Sequence, residues 1–441
     1  MLFASLGQTA ESVMMSLYNA VLSPLRPAVA LWSAWSGRRA GKRTEWSERR
    51  AITLPRLEPG GIWIHGASVG EARIVSSLAA RIRARRPGLP LAVSAYTATG
   101  RRQLPEPPRV DARFLLPLDF RSYVRRVLAA VRPALLTLVE TELWPNLLNE
   151  ADRRGTRVVI LNGRLSAERM ARYRRLGWLY VPLLSRVTRV GAQSDQDAER
   201  FAALGVRSEA IEVQGNAKYD LPRPAVTGPA LRARFGIADR RPVFVAGSTG
   251  EGEEVHVLEA FREARRVHPE LFLVLAPRHP PRSDAVEGLV RAAGLSVSRL
   301  SRDDAGDAGR REVLLVDTVG ELSSLYAVAT VAFVGGSLVR VGGHNVLEPA
   351  AVSVPVFFGP HTQHFDEPVA ALLAAGAGAR VGNARELGRM VTELIADPSR
   401  RARMGQAARR LLDANRGALA RGTDTLLELL EQFGPPAPEV P

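Results

Sequence analysis

The sequence predicts an α/β protein made of two Rossmann-like domains, each a parallel sheet covered by helices, facing a central cleft. Three observations lead there. The chain has 441 residues, too many for one ordinary core and well suited to two. Short β-branched runs alternate with stretches of helical period, and the alternation runs twice along the chain. Between the two series lies a stretch rich in Pro, Arg and Gly, Leu221 to Arg241, which reads as a linker. With 46% apolar and 24% charged residues the chain is globular rather than disordered. It has no Cys, which excludes a disulfide framework, a thiolate metal site and a Cys nucleophile.

The N-terminal segment, residues 1–50, is a membrane-associated element by its composition. Leu17, Tyr18, Val21, Leu22, Leu25, Val29, Leu31, Trp32 and Trp35 form an apolar set, followed by Arg38, Arg39, Lys42 and Arg43. A spanning helix needs about 20 uninterrupted apolar residues, and Pro24, Arg26 and Pro27 break the run. Trp beside a basic cluster suits an anchor at the interface of an anionic leaflet; the alternative is an amphipathic helix packed on the first domain. The basic residues follow the apolar part, so a cleavable secretory signal is not expected.

The first domain covers residues 51–220. Its predicted strands are Ile62 to His65, Leu91 to Ser94, Phe114 to Leu116, Leu135 to Val139, Val158 to Leu161, Val187 to Ala192 and Ile211 to Val213. After the first of them, Ile74, Leu78 and Ile82 recur at helical spacing. The linker is 221–241. The second domain, 242–434 with its C-terminal helices, has predicted strands Val243 to Ala246, Leu271 to Ala276, Val313 to Val316, Val331 to Val334 and Val354 to Phe358. Ser301 to Arg311 reads as a surface loop, Pro398 to Phe433 as helical, and Pro435 to Pro441 as a frayed tail.

In open α/β sheets ligands bind beyond the carboxyl ends of the strands, so the residues after each strand are where chemistry is expected. The first strand runs into His65-Gly66-Ala67-Ser68-Val69-Gly70-Glu71. Small residues let a backbone approach a ligand, and a carboxylate in the first helical turn can either accept a proton from a hydroxyl or merely complement the helix dipole. Glu140-Thr141-Glu142-Leu143-Trp144-Pro145 puts two carboxylates at another strand end, one a candidate helix cap with Thr141 or Glu142 starting the next helix, the other then free to face the cleft. Arg164 and Lys218 are candidate anion partners, each with a plain solvated side chain as its alternative. In the second domain, Gly247-Ser248-Thr249-Gly250-Glu251-Gly252-Glu253-Glu254, Pro277-Arg278-His279-Pro280, Gly335-Gly336-Ser337 and Gly342-Gly343-His344-Asn345-Val346-Leu347-Glu348-Pro349 each offer backbone amides or a cation to a phosphate. Seven His occur without HExxH or ligand spacing, so no metal site is expected.

Nine blocks in order carry a resemblance: IWIHGASVGE from Ile62, LVETELWPNLL from Leu138, LNGRLS from Leu161, AQSDQDAERFAALGV from Ala192, GNAKYD from Gly215, AGSTGEGEE from Ala246, LAPRHP from Leu275, DTVGELSSLYAVA from Asp317 and FVGGSLVRVGGHNVLEPAA from Phe333. Through them the chain resembles the 3-deoxy-D-manno-octulosonate (Kdo) transferases. The resemblance implies a glycosyltransferase-B fold, CMP-Kdo as donor substrate with no other cofactor, and a lipid A precursor as acceptor in lipopolysaccharide core synthesis. It also implies inversion at the anomeric carbon and work at the cytoplasmic face of a bacterial inner membrane. Carried over by motif, Glu71 is the general base, Glu140 and Lys218 stabilise the transition state, and Pro277, Arg278, Val319, Gly320, Glu321, Asn345, Val346, Leu347 and Glu348 form the CMP site. The sequence departs from the usual pattern at Gly250, where His is common, at Val346, where Pro is common, and at His364, where Asn is common.

The net charge of +15 attracts polyanions, whether lipid headgroups, phosphorylated substrates or nucleic acid. Charge alone supports a nucleic-acid partner; no helix-turn-helix, zinc finger or aromatic RNA-binding motif accompanies it, and none is expected to bind. A transferase of the same fold using another sugar nucleotide is the nearer alternative.

Overall fold

The structure, a computed structural model, describes residues 13–39, 43–220, 228–302 and 311–433, with residues 33–39 as backbone only. Lys42, the side chains of Trp35, Arg38 and Arg39, the first part of the expected linker, most of the Ser301 to Arg311 loop and the C-terminal tail lie outside that description. The chain divides into two compact units, Met1–Asp220 with Arg416–Pro441, and Leu221–Asn415.

The first unit holds seven strands: β1 (Ile62–Gly66), β2 (Leu91–Ala95), β3 (Ala112–Leu115), β4 (Leu135–Val139), β5 (Arg157–Gly163), β6 (Arg189–Ala192) and β7 (Ile211–Val213). They pair in the order β3-β2-β1-β4-β5-β6-β7, all parallel. Strand order reverses between β1 and β4, which opens a crevice at the sheet's carboxyl edge. β1, β2 and β4 are buried on both faces, as unbroken apolar runs under two helical layers must be. One layer packs Trp63 against Phe114, with ring centroids 5.4 Å apart. The other packs Ile62, Ile64, Val75, Leu78 and Ile82 against Leu426, Leu427 and Leu429.

Those last leucines belong to the helix Ala418–Phe433, so the C-terminal helix completes the first unit's core, not the second's as the sequence suggested. The break from the preceding helix, Pro398–Asn415, falls at Gly417, whose φ of 102° suits glycine. Asp220 then accepts the Gly417 and Leu419 N–H groups, both at 2.6 Å, and Arg421 donates to the Gln214 carbonyl. A continuous helical period in Pro398 to Phe433 cannot reveal which core each half serves.

The second unit repeats the plan with β8 (Val243–Thr249), β9 (Phe272–Pro277), β10 (Val297–Arg299), β11 (Val313–Leu315), β12 (Val331–Val334), β13 (Val356–Phe358) and β14 (Gly378–Arg380), in the order β10-β11-β9-β8-β12-β13-β14. Here order reverses between β8 and β12. The expected linker is partly structured: Gly228–Arg234 is a helix, and Leu231, Phe235 and Ile237 are buried.

At the N-terminus, residues 13–22 and Leu25–Arg39 are helical. Met14 and Met15 are buried, Tyr18 donates to Asp119 at 3.0 Å, and Asn19 and Asn146 exchange two amide hydrogen bonds. Val13, Leu17 and Val21, one helical face at i, i+4 and i+8, are exposed, as are Leu25, Leu31 and Trp32. Among the described residues no helix is long and apolar enough to cross a membrane.

Leu426→Ala is expected to cost about 2–5 kcal/mol, the range for a fully buried leucine. Hydrogen exchange should show amides of β1, β4 and β5 losing protection while those of β8 and β9 keep theirs.

Candidate active site

In the first unit the sequence-predicted residues gather at the switch point, where β1 and β4 diverge. β1 ends in a turn that starts the helix Val69–Arg85, and Ser68 caps it by accepting the Glu71 N–H at 3.3 Å. Glu71 turns back over the turn: one carboxylate oxygen accepts the Ala67 N–H at 2.6 Å and the other accepts the Ser68 hydroxyl at 2.7 Å. The residue is only 9% exposed. Gly66 cannot be larger, since a Cβ there would stand 2.9 Å from Glu71 Cβ.

From β4, Glu140 adopts φ 64°, and from β5, Asn162 adopts φ 55°. Left-handed backbone at a non-glycine residue costs about 1–3 kcal/mol and persists where surrounding structure imposes it. Here the Glu140 N–H bonds the Leu161 carbonyl at 3.0 Å, and Asn162 Oδ1 accepts the Ala217 N–H at 2.8 Å. Asn162 thereby fixes the short turn Ala217–Tyr219, and Lys218 Nζ comes within 3.6 Å of Glu140. Glu71, Glu140 and Lys218 are thus one cluster. Arg164, the other candidate cation, is half-buried, and its carbonyl accepts the Thr141 hydroxyl.

Burial is the largest influence on Glu71, followed by the negative charge of Glu140; with a smaller push from Glu142 they outweigh the hydrogen bonds from Ser68 and Ala67 and raise its pKa to about 7. A carboxyl group poised there can take a proton near neutral pH.

Sequence reasoning missed the residues that support this cluster. His65 is fully buried, with Nδ1 2.9 Å from the Ser94 hydroxyl, which also accepts the Trp63 indole N–H at 2.7 Å. If Ser94 spends its one hydrogen on Nδ1, His65 carries its proton on Nε2, which faces Glu142 at 3.9 Å. Neither Thr141 nor Glu142 caps the next helix. It begins at Pro145, with Asp119 accepting the Asn146 and Leu147 N–H groups, and Glu142 instead accepts the Trp144 indole N–H at 3.0 Å. Trp144 stacks on Tyr96 at 5.1 Å, and the Arg49 guanidinium lies 4.9 Å from the Tyr96 ring. Only the position of Tyr96, just past β2, hinted at its place.

In the second unit Pro277 closes β9 and Arg278 extends an exposed guanidinium beyond it, its N–H bonded to Thr249 O at 3.0 Å. Asn345 Oδ1 accepts the Leu347 N–H at 3.1 Å, and its amide reaches Glu348 at 3.3 Å. Val346 and Leu347 have buried side chains, so they can offer only backbone to a ligand. Val319 is 85% exposed, Gly320 has φ 101°, and Glu321 pairs with Arg234 at 2.7 Å. His344 sits against Gly336, and burial, with Arg278, His279 and His364 nearby, lowers its pKa to about 4. The glycine-rich loops do not present all their amides to a ligand: Gly250, Gly336, Ser337 and Leu338 donate to Glu253. Among the described residues no group of three His, Cys, Asp or Glu could hold a metal ion.

A 3-deoxy-D-manno-octulosonic acid transferase of Bordetella pertussis is 35% identical over 434 residues, covering 94% of this chain and 99% of that protein. The chain belongs to the Kdo transferase family. A family profile described as 3-Deoxy-D-manno-octulosonic-acid transferase (kdotransferase) matches residues 42–221. The Haemophilus influenzae enzyme of the same name is 35% identical over 383 residues, 85% of this chain and 88% of that one. As a Kdo transferase the protein is a glycosyltransferase. Its two-sheet plan is that of a Rickettsia africae glycosyltransferase structure, with TM-score 0.56 at 12% identity over 86% of this chain and 99% of that one. The fold is therefore of the glycosyltransferase-B type.

A raised Glu71 pKa means that the folded protein holds the proton more tightly than the unfolded chain. Stability from this group is intact below pH 4.5 and falls as pH rises toward 7, by about 3 kcal/mol in all. Glu71→Gln cannot ionise, so its melting temperature relative to wild type should climb between pH 5 and pH 8. A flat difference across that interval would contradict the assigned environment.

Proposed function

We propose that the protein transfers Kdo from CMP-Kdo to a hydroxyl of a lipid A precursor, with inversion at the anomeric carbon. The observation that carries the reading is Glu71, a buried carboxyl group held at the end of β1 with its pKa raised to about 7, beside the Glu140–Lys218 pair. It supports a proton acceptor working near neutral pH in a chain of this family.

In this reading Glu71 takes the proton of the acceptor hydroxyl as its oxygen attacks the anomeric carbon. The bond from that carbon to the phosphate oxygen breaks, and CMP departs with the electron pair. The sugar passes through an oxocarbenium-like state, so charge builds on the leaving phosphate. Arg278 and backbone amides around Asn345 to Glu348 stabilise that charge, with Pro277 and the Val319-Gly320-Glu321 turn shaping the nucleotide site. Glu140 and Lys218, paired at 3.6 Å, stabilise the transition state.

The lipid acceptor reaches the enzyme at an anionic membrane surface on the cytoplasmic side of the inner membrane. Supporting this are the outward row Val13, Leu17 and Val21 on a helix whose inner face is docked, and the exposed Leu31 and Trp32. The helix Ala167–Arg175 adds Arg172, Arg174 and Arg175, with exposed Leu176 and Trp178 following.

Incubation with CMP-Kdo and a tetraacylated lipid A precursor, read by mass spectrometry, should give a Kdo-bearing lipid and CMP. Turnover of a uridine nucleotide sugar in place of CMP-Kdo would favour the alternative donor. Glu71→Gln should lower kcat by about 10²–10⁴-fold with CMP affinity unchanged, and wild-type kcat/KM should fall on the acid side with an apparent pKa near 7. Replacing Val13, Leu17 and Val21 together by Ser should weaken binding to anionic liposomes about tenfold or more. Turnover of detergent-dispersed acceptor should be unaffected.

A further inference from the structure

Glu253 is a fully buried carboxylate to which the mechanism above gives no part. It opens the helix Glu253–Val267 and is 0% exposed. One oxygen accepts the N–H groups of Gly250 and Gly336, at 2.7 and 2.6 Å; the other accepts those of Ser337 and Leu338, at 2.8 and 2.7 Å. Two loops converge on this one side chain. Gly250 follows β8 and the others follow β12, the neighbouring strands between which the order of the sheet reverses. The approach is close: a Cβ on Gly335 would stand 2.7 Å from a Glu253 oxygen and 2.6 Å from the Ser248 carbonyl. Ser248 itself has φ 56°.

Each clamped segment is hydrogen-bonded to chain that carries, or leads to, a residue of the nucleotide site. Thr249, next to Gly250, accepts the Arg278 N–H at 3.0 Å, and Gly336 accepts the Gly343 N–H at 2.7 Å, two residues before Asn345. Arg278 and the Asn345 turn are therefore each one hydrogen bond from a segment that Glu253 holds.

We infer that Glu253 is a positioning residue for the donor: an internal anion fills the amide nest at the second switch point, so the loops bearing Arg278 and Asn345 keep their binding shape before the nucleotide arrives. The inference rests on the assignment of the nucleotide site to these loops. A carboxylate has about four acceptor positions for four N–H donors, whereas a glutamine offers two and turns an NH₂ toward the rest. An aspartate keeps all four positions but is one methylene short.

The test is CMP titration and donor kinetics on the full chain with E253Q, E253D and R278A. In folded E253Q, CMP affinity should fall about tenfold or more and the donor KM rise in step, from the loss of charge-assisted hydrogen bonds, with kcat changing less. E253D should recover part of the loss. CMP affinity and donor KM at wild-type values in folded E253Q, beside a weakened R278A, would overturn the role of Glu253. Unchanged affinity in R278A as well would instead remove the nucleotide-site assignment. Should E253Q not fold, hydrogen exchange of the wild type without CMP decides: the Gly250, Gly336, Ser337 and Leu338 amides should be protected, and rapid exchange at them overturns the inference.

Discussion

Main-chain N–H groups in the turns and helix starts that follow parallel strands must find acceptors once they leave the sheet, and in this protein carboxylates supply them. Glu71 takes the Ala67 N–H, Asp119 takes two at the start of the helix Pro145–Arg153, and Glu253 takes four from two loops. Unsatisfied, such donors would each cost about 1–3 kcal/mol. The same bonds decide where reactive groups sit. A glutamate that must reach back to its own turn cannot wander, and its withdrawal from water raises its proton affinity. Structure and chemistry at the β1 turn thus have one cause.

The two units place their candidate site residues by one topological rule. Strand order reverses between β1 and β4 in one sheet and between β8 and β12 in the other. Glu71 and Glu140 flank the first reversal. Gly250 and Gly336, joined through Glu253, flank the second. Three of the six described non-glycine residues with left-handed backbone, Glu140, Asn162 and Ser248, stand at strand ends, and the registers of β5 and β8 shift beside Asn162 and Ser248. A strained residue there re-aims the chain out of the sheet plane, which turns the end of a strand into a presenter of side chains.

Much of this was legible in the sequence. The central strands are continuous apolar runs because both faces are covered, and Leu135 to Val139 and Val331 to Val334 begin and end in the structure where the sequence put them, as does the edge strand Ile211 to Val213. Edge strands lack that pattern. Gly378–Arg380 and Val297–Arg299 are each three residues long and end in Arg, and neither was foreseen. Glu71, Glu140 and Lys218 stood out by position after strands, but their mutual contact depends on Asn162 ordering the Ala217 turn, a pairing between residues 55 apart. Glu253 was hidden among Glu251, Glu253 and Glu254, since composition cannot tell that Glu253 and Glu254 are both buried or which of them gathers the loop amides. Val346 and Leu347 match a site motif yet point into the core.

The helix Ala418–Phe433 bears on how the protein is made. Its leucines finish a sheet whose strands were all synthesised before residue 220, and the whole second unit lies between in the chain. At ribosomal speeds of 5–20 residues per second, roughly 10–40 s separate the last strand of the first unit from the helix that seals it. During that interval Ile62, Ile64 and Leu78 lack the cover of that helix, so a nascent chain carries an open apolar face until residues 418–433 have emerged. An unfinished first unit of this kind is a natural client for a chaperone, and premature termination anywhere in the second unit leaves it permanently unsealed.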